Sequence, residues 1–163
     1  MNETSSATLK SYRQMQLSVL YSVSGCFAGL LTEENLFEWS ATILGPYETP
    51  CEGGVFELRL KFPATYPQAP PGVRFISEVY HPNVSTRGEI CADIFRNAWS
   101  PCNTVSSILA SIQSLLNDPN PLHPKNPVAA QLYISDRIAY NKKVRVCAEK
   151  TTELAGPSST SQQ

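Results

Sequence analysis

Phe56, Leu58, Leu60 and Phe62 alternate with Val55, Glu57, Arg59 and Lys61. This two-residue period predicts a strand over 54–62 with one apolar face. LFEWSATIL (36–44) and GVRFISEVY (72–80) are rich in aromatic and β-branched residues and predict two more extended segments. GPYETPCEGG, between the first two, carries two prolines and three glycines and reads as a turn. Short connections of this kind favour an antiparallel meander, because a parallel return needs a crossover of a dozen or more residues.

Helical spacing dominates the last third. Val105, Ile108, Leu109, Ile112, Leu115 and Leu116 fall on one stripe, with Asn103 or Thr104 as N-cap. DPNPLHPKNP interrupts it with four prolines. Asn126-Pro127 then reads as cap and first residue of a second helix. Ser135-Asp136 reads as the cap of a third, running to about Leu154. Leu9, Tyr12, Leu17 and Leu20 suggest an N-terminal helix of imperfect period, broken by Gly25 and Gly29. Strands first and helices after is the α+β arrangement. One core domain is expected over 9–154, between a flexible N-terminus (1–8) and a flexible C-terminal tail (155–163).

Two stretches fit neither period. FPATYPQAPPG (62–72) holds four prolines in eleven positions and must be a rigid loop, a strut or a docking edge. From about residue 80 to Asn103 the pattern is irregular, yet Ile90, Ile94, Phe95 and Trp99 argue for order. A long ordered loop is where chemistry is to be sought.

Composition narrows the classes. A formal charge of −1 gives no electrostatic case for nucleic acid or an anionic membrane as direct partner. No apolar run reaches a membrane-spanning length, and MNETSSATLK lacks the pattern of a secretory signal. The five cysteines are widely spaced, without a CxxC pair, which disfavours a disulfide framework or a structural metal. Cys26, Cys51, Cys102 and Cys147 are expected to be small buried residues of a reduced protein.

Cys91 stands apart, because it follows a glycine in the long loop between Glu89 and Asp93, with Arg87 the nearby base. Two carboxylates disfavour a thiolate. That is a poor setting for a self-activated nucleophile. It suits a thiol that accepts an already activated acyl group by thioester exchange. Asn83, held by His81-Pro82, could donate a side-chain N–H to an oxyanion. The residues alone leave a second reading open, in which Asn83 caps a turn and Cys91 fills space.

HPNVSTRGEICADIF with WSP at 99–101 resembles the active-site segment of ubiquitin-conjugating enzymes. The likeness continues through GPYETPCEGGVF, YPQAPP, SILASIQSLLNDPNP and the last helices, covering about residues 9 to 152. It implies the UBC-like fold: an N-terminal helix, a four-stranded antiparallel meander, a long ordered active-site loop and three C-terminal helices. FISEVYHPNV and SIQSLLNDPNP resemble the branch that ubiquitinates histones and acts in post-replication repair.

By this resemblance Cys91 would carry ubiquitin as a thioester and Asn83 would stabilise the oxyanion during transfer to lysine. His81 would brace the turn, and Asp93 would stand near the incoming amine. His123 occupies a place where the family often has Asp or Ser, and could accept the amine's proton or be a tolerated loop residue. Tyr66, Pro67, Gln68, Trp99, Pro101 and Cys102 map to the ligase-binding edge. Gln68 replaces a bulky apolar residue common in partners of RING ligases. Lys10 and Arg13 map to the surface for the activating enzyme.

The implied partners are ubiquitin, an activating enzyme, a RING- or HECT-type ligase and a lysine-bearing substrate. No cofactor is expected in the chain, ATP being consumed by the activating enzyme. The cytoplasm and nucleus are the expected compartments. Three alternatives compete: a carrier of another ubiquitin-like modifier, a non-catalytic relative, and a cysteine hydrolase. The first is disfavoured because IFRNAW lacks the insertion of SUMO-conjugating members. Cys91 with an intact HPN disfavours the second. No orienting third group supports the third.

Overall fold

The computed structural model describes residues 6, 9, 10, 25–90, 95 and 97–154. Ser6, Leu9 and Lys10 are helical, and positions 11–21 of the expected first helix lie outside the described residues. Four strands follow: β1 (Cys26–Thr32), β2 (Asn35–Leu44), β3 (Val55–Lys61) and β4 (Gly72–Phe75). They pair antiparallel in the order β1-β2-β3-β4, the expected meander. Three helices complete the fold: α1 (Val105–Asn117), α2 (Pro127–Ser135) and α3 (Arg137–Leu154). No helix among the described residues is long and apolar enough to cross a membrane.

The alternation in β3 is realised as read: Phe56, Leu58 and Leu60 are buried, and Phe62 continues the row just past the strand. Trp39, Ala41 and Ile43 of β2 join them from the next strand, in register Trp39↔Leu60, Ala41↔Leu58 and Ile43↔Phe56. Val105, Ile108, Leu109 and Ile112 of α1 close the core from the helical side. Burying a side chain of this size contributes ~1.5–3 kcal/mol, so this one interface holds the sheet and α1 together.

Thr104 is the N-cap of α1. Its hydroxyl accepts from Ser107 N–H, and Ser107 Oγ accepts from Thr104 N–H in return. Asn126 and Asp136 cap α2 and α3 as expected, accepting from Ala129 and Ala139 N–H.

β1 occupies residues to which the sequence pattern assigned no element, and it supplies the fourth strand of the expected meander; CFAGLLT is held by backbone pairing to β2 more than by any alternation of its own. Two expectations are corrected. The third extended segment ends at Phe75 instead of Tyr80. There the Glu57 carbonyl accepts from Ile76 N–H while Ser77 Oγ accepts from Glu57 N–H, so a side chain replaces the next ladder bond. Cys26, Cys51 and Cys147 are buried as expected, but Cys102 is exposed in the turn leading to α1.

Gly45 marks a close backbone approach, since a Cβ there would lie 1.7 Å from the Cys51 carbonyl oxygen. It folds the β2–β3 connection onto itself.

Candidate active site

The sequence 84–90 forms a small hairpin. Val84 bridges Ile90, Ser85 N–H donates to Glu89 O, and Gly88 N–H returns to Ser85 O. Gly88 has φ +86°, and a Cβ on it would lie 2.1 Å from the Phe75 carbonyl. Only glycine allows this turn to lie against β4, where Phe75 N–H donates to Gly88 O. Arg74 and Glu89 are paired across this seam.

Beneath the hairpin the HPN turn is clasped to the loop after α1. His81 is 1% exposed. Its Nδ1 accepts from Asn83 N–H at 3.0 Å, which leaves Nε2–H to donate to Leu115 O at 2.7 Å. Burial pushes the ring down to about 4, against the opposing pull of the Leu115 carbonyl. It is therefore a neutral ring of fixed tautomer, hydrogen-bonded at both nitrogens within the described residues. Its proton also satisfies a carbonyl in the last turn of α1, where helices leave acceptors unpaired.

Asn83 completes the clasp. Its Oδ1 accepts from Asn120 N–H at 2.7 Å, and its Nδ2 donates to Asn120 O at 2.7 Å and, more weakly, to His123 O at 3.4 Å. The side chain therefore spends its amide on the 120–123 loop. Donation to an oxyanion requires it to release the longer bond. Pro82 O accepts from both Lys125 and Asn126 N–H at 2.9 Å, adding a second tie. Lys125 Nζ reaches to 3.9 Å from Glu89 Oε2.

The hairpin thus delivers the chain to Ile90, immediately before Cys91. Cys91 and Asp93 lie outside the described residues, as does Arg13, and Lys10 is exposed. The His123 side chain is exposed, next to the backbone oxygen that Asn83 approaches.

Gln68, Pro101 and Cys102 are exposed, and Pro67 and Trp99 half-buried. Tyr66 is 3% exposed, which corrects its place on the ligase edge. Its ring packs edge-on to Phe62, 4.8 Å between centroids, so it supports the loop from below. Trp99 Nε1–H donates to Pro67 O at 3.0 Å and joins the two loops into one edge.

Asn120, Gly88, Lys125 and the Leu115 carbonyl were not singled out by sequence reasoning. The DPNP run could have flagged Asn120, and the glycine in a Ser-Thr-Arg-Gly turn could have flagged Gly88. Nothing local points to the other two.

The family model for ubiquitin-conjugating enzymes matches residues 10–148. This chain belongs to the ubiquitin-conjugating enzymes. Among curated relatives, ubiquitin-conjugating enzyme E2 1 of Caenorhabditis elegans is 51% identical over 124 residues, 76% of this chain and 65% of that protein. The chain thus spans slightly under two thirds of that relative's length. Ubiquitin-conjugating enzyme E2 2 of Debaryomyces hansenii is 48% identical over 143 residues, 88% of this chain and 83% of the relative.

The solved E2 domain of a Toxoplasma gondii ubiquitin conjugating enzyme superposes with a TM-score of 0.81 at 32% identity. It covers 89% of this chain and 96% of that one. Ubiquitin-conjugating enzymes are transferases that work with ubiquitin, activating enzymes and ligases, and need no cofactor of their own.

Proposed function

We propose that Cys91 takes ubiquitin from an activating enzyme as a thioester and passes it to a substrate lysine. In the first step the Cys91 sulfur attacks the activating enzyme's thioester carbonyl, and that enzyme's thiolate leaves. In the second, a neutral lysine amine attacks the Cys91 thioester. The C–N bond forms, the C–S bond breaks, and the amine's proton passes to a base, for which Asp93 and His123 are the candidates.

The observation that carries this reading is the clasp of His81 and Asn83 onto Leu115, Asn120 and His123, which fixes the segment ending one residue before the thiol. Asn83 acts first as a positioning residue for the 120–123 loop, and it is the candidate oxyanion donor once the bond to His123 O opens.

ATP is spent by the activating enzyme, which docks near Lys10 and Arg13. A RING- or HECT-type ligase docks on the edge of Pro67, Gln68, Trp99, Pro101 and Cys102. Likeness to the histone-directed, post-replication-repair branch supports action in cytoplasm and nucleus, which fractionation would test.

The decisive experiment incubates the protein with ubiquitin, activating enzyme and ATP, followed by a non-reducing gel. A ubiquitin-sized shift that thiol reductant removes, and that Cys91→Ala lacks, is expected. A shift that persists in Cys91→Ala would move the thioester elsewhere.

A further inference from the structure

The end of α1, the start of α3 and the β2–β3 turn enclose a cleft of about 160 Å³. Its walls are mostly apolar, formed by Pro50, Leu116, Pro119 and Val144 with the rings of Tyr133 and Tyr140. Inward it narrows to a space of about 10 Å³, which shares Cys51, Leu116, Tyr140 and Val144 with it and reaches His81. A space of ~10 Å³ holds one small polar atom at most, whereas a cavity of ~150 Å³ accepts a benzene ring. The outer part therefore has the size of one aromatic ring.

Polar groups are few and lie at the two ends. Arg137, the first residue of α3, is the one charged residue that lines the outer cleft. Its guanidinium carbon lies 3.4 Å from the centroid of the Tyr133 ring, and its Nε–H donates to Tyr133 O at 3.0 Å. The fork is thus held in place, yet it joins none of the ion pairs among the described residues. Asn117 and Asn141 bring carboxamides to the same lining. At the inner end stands Tyr80, whose buried hydroxyl has no hydrogen-bond partner among the described residues. The cleft therefore keeps unused donors at both ends.

We propose that this cleft binds a small aromatic carboxylate, with the ring against Leu116, Tyr140 and Val144 and the carboxylate on Arg137. The walls favour a ring through its buried area and through edge contacts with the two tyrosines. A planar fork already stacked on Tyr133 matches a carboxylate at little cost in order. The start of a helix adds a weak preference for an anion at the same place. A cation is repelled by Arg137, and a purely apolar ligand leaves the guanidinium and both carboxamides unused. The site is independent of the thioester chemistry.

The test titrates the whole isotope-labelled chain with 3-phenylpropionate and with its neutral counterpart, 3-phenylpropionamide, and follows backbone amide shifts by NMR. Dissociation constants in the millimolar range are expected for so small a ligand. The shifts should concentrate at Leu116, Tyr133, Arg137, Asn141 and Val144. Arg137 is exposed and such pairs are individually weak, so the acid should bind roughly three- to fivefold tighter than the amide at low salt. The ratio should shrink as salt screens the charges. In Arg137→Gln the two probes should bind equally, and Val144→Phe, which fills the cleft, should abolish binding of both.

Equal binding of acid and amide would overturn the proposal, as would shifts scattered over the surface. An acid preference that survives in Arg137→Gln, or binding unchanged in Val144→Phe, would do the same. The comparison of the two probes needs no variant, so the proposal remains open to refutation even where Val144→Phe does not fold.

Discussion

His81 holds a neutral ring in a site from which water is excluded, and this makes stability depend on pH. The unfolded ring takes a proton near 6.5, whereas burial holds the folded one to about 4. As pH falls through this window the unfolded state binds the proton and the folded state does not, so stability is lost. Above 6.5 the contribution is complete. Once pH falls below 4 the loss reaches on the order of 3 kcal/mol. Urea midpoints at pH 7 and 4.5 check this. His81→Gln, which cannot titrate, should give a smaller drop than the native chain.

His123 raises a different question one loop away. If its ring takes the amine's proton, His123→Ala slows discharge to lysine and leaves loading of Cys91 unchanged. Equal discharge rates would leave Asp93 as the base.

Elements were legible in the sequence where one face is buried and opaque where backbone contacts decide. The β3 alternation, the α1 stripe and all three helix caps follow from local chemistry. β1 does not, since Ala28 and Gly29 are paired to β2 without being strong strand formers. Tyr66 reads as a docking residue until its ring is seen under the proline loop, and Cys102 reads as filler until its turn carries it outward.

The same contrast governs two glycines. Gly45→Ala forces a methyl onto the Cys51 carbonyl, whereas Gly29→Ala meets nothing within 4 Å. Thermal unfolding should show Gly45→Ala losing several degrees and Gly29→Ala almost none. Comparable losses would mean that the β2–β3 turn yields more easily than its geometry suggests.

At the scale of the whole molecule, sheet and helices meet at polar ties as well as in the core. Thr151 Oγ accepts from Val55 N–H at 2.8 Å and donates to Ala148 O at 2.6 Å, pinning the end of α3 to the first residue of β3. Thr151→Val keeps the shape and orphans a backbone donor, so it should cost ~1–3 kcal/mol by chemical denaturation. An unchanged midpoint would mean that water takes over the bond.

The candidate site is of the same long-range kind. Its motif residues His81 and Asn83 were visible, but their partners lie 34 and 37 positions away, where no local pattern reaches.

The clasp also sets a timetable for a nascent chain. Asn83 and Cys91 leave the ribosome well before Asn120, which follows Asn83 by 37 residues. At ordinary rates of synthesis that interval is roughly 2 to 7 seconds. Until it has passed, Asn83 exists without the backbone that takes both ends of its amide. A newborn chain thus closes the clasp only when the turn after α1 has emerged, so the HPN turn is among the later parts of the fold to be fixed.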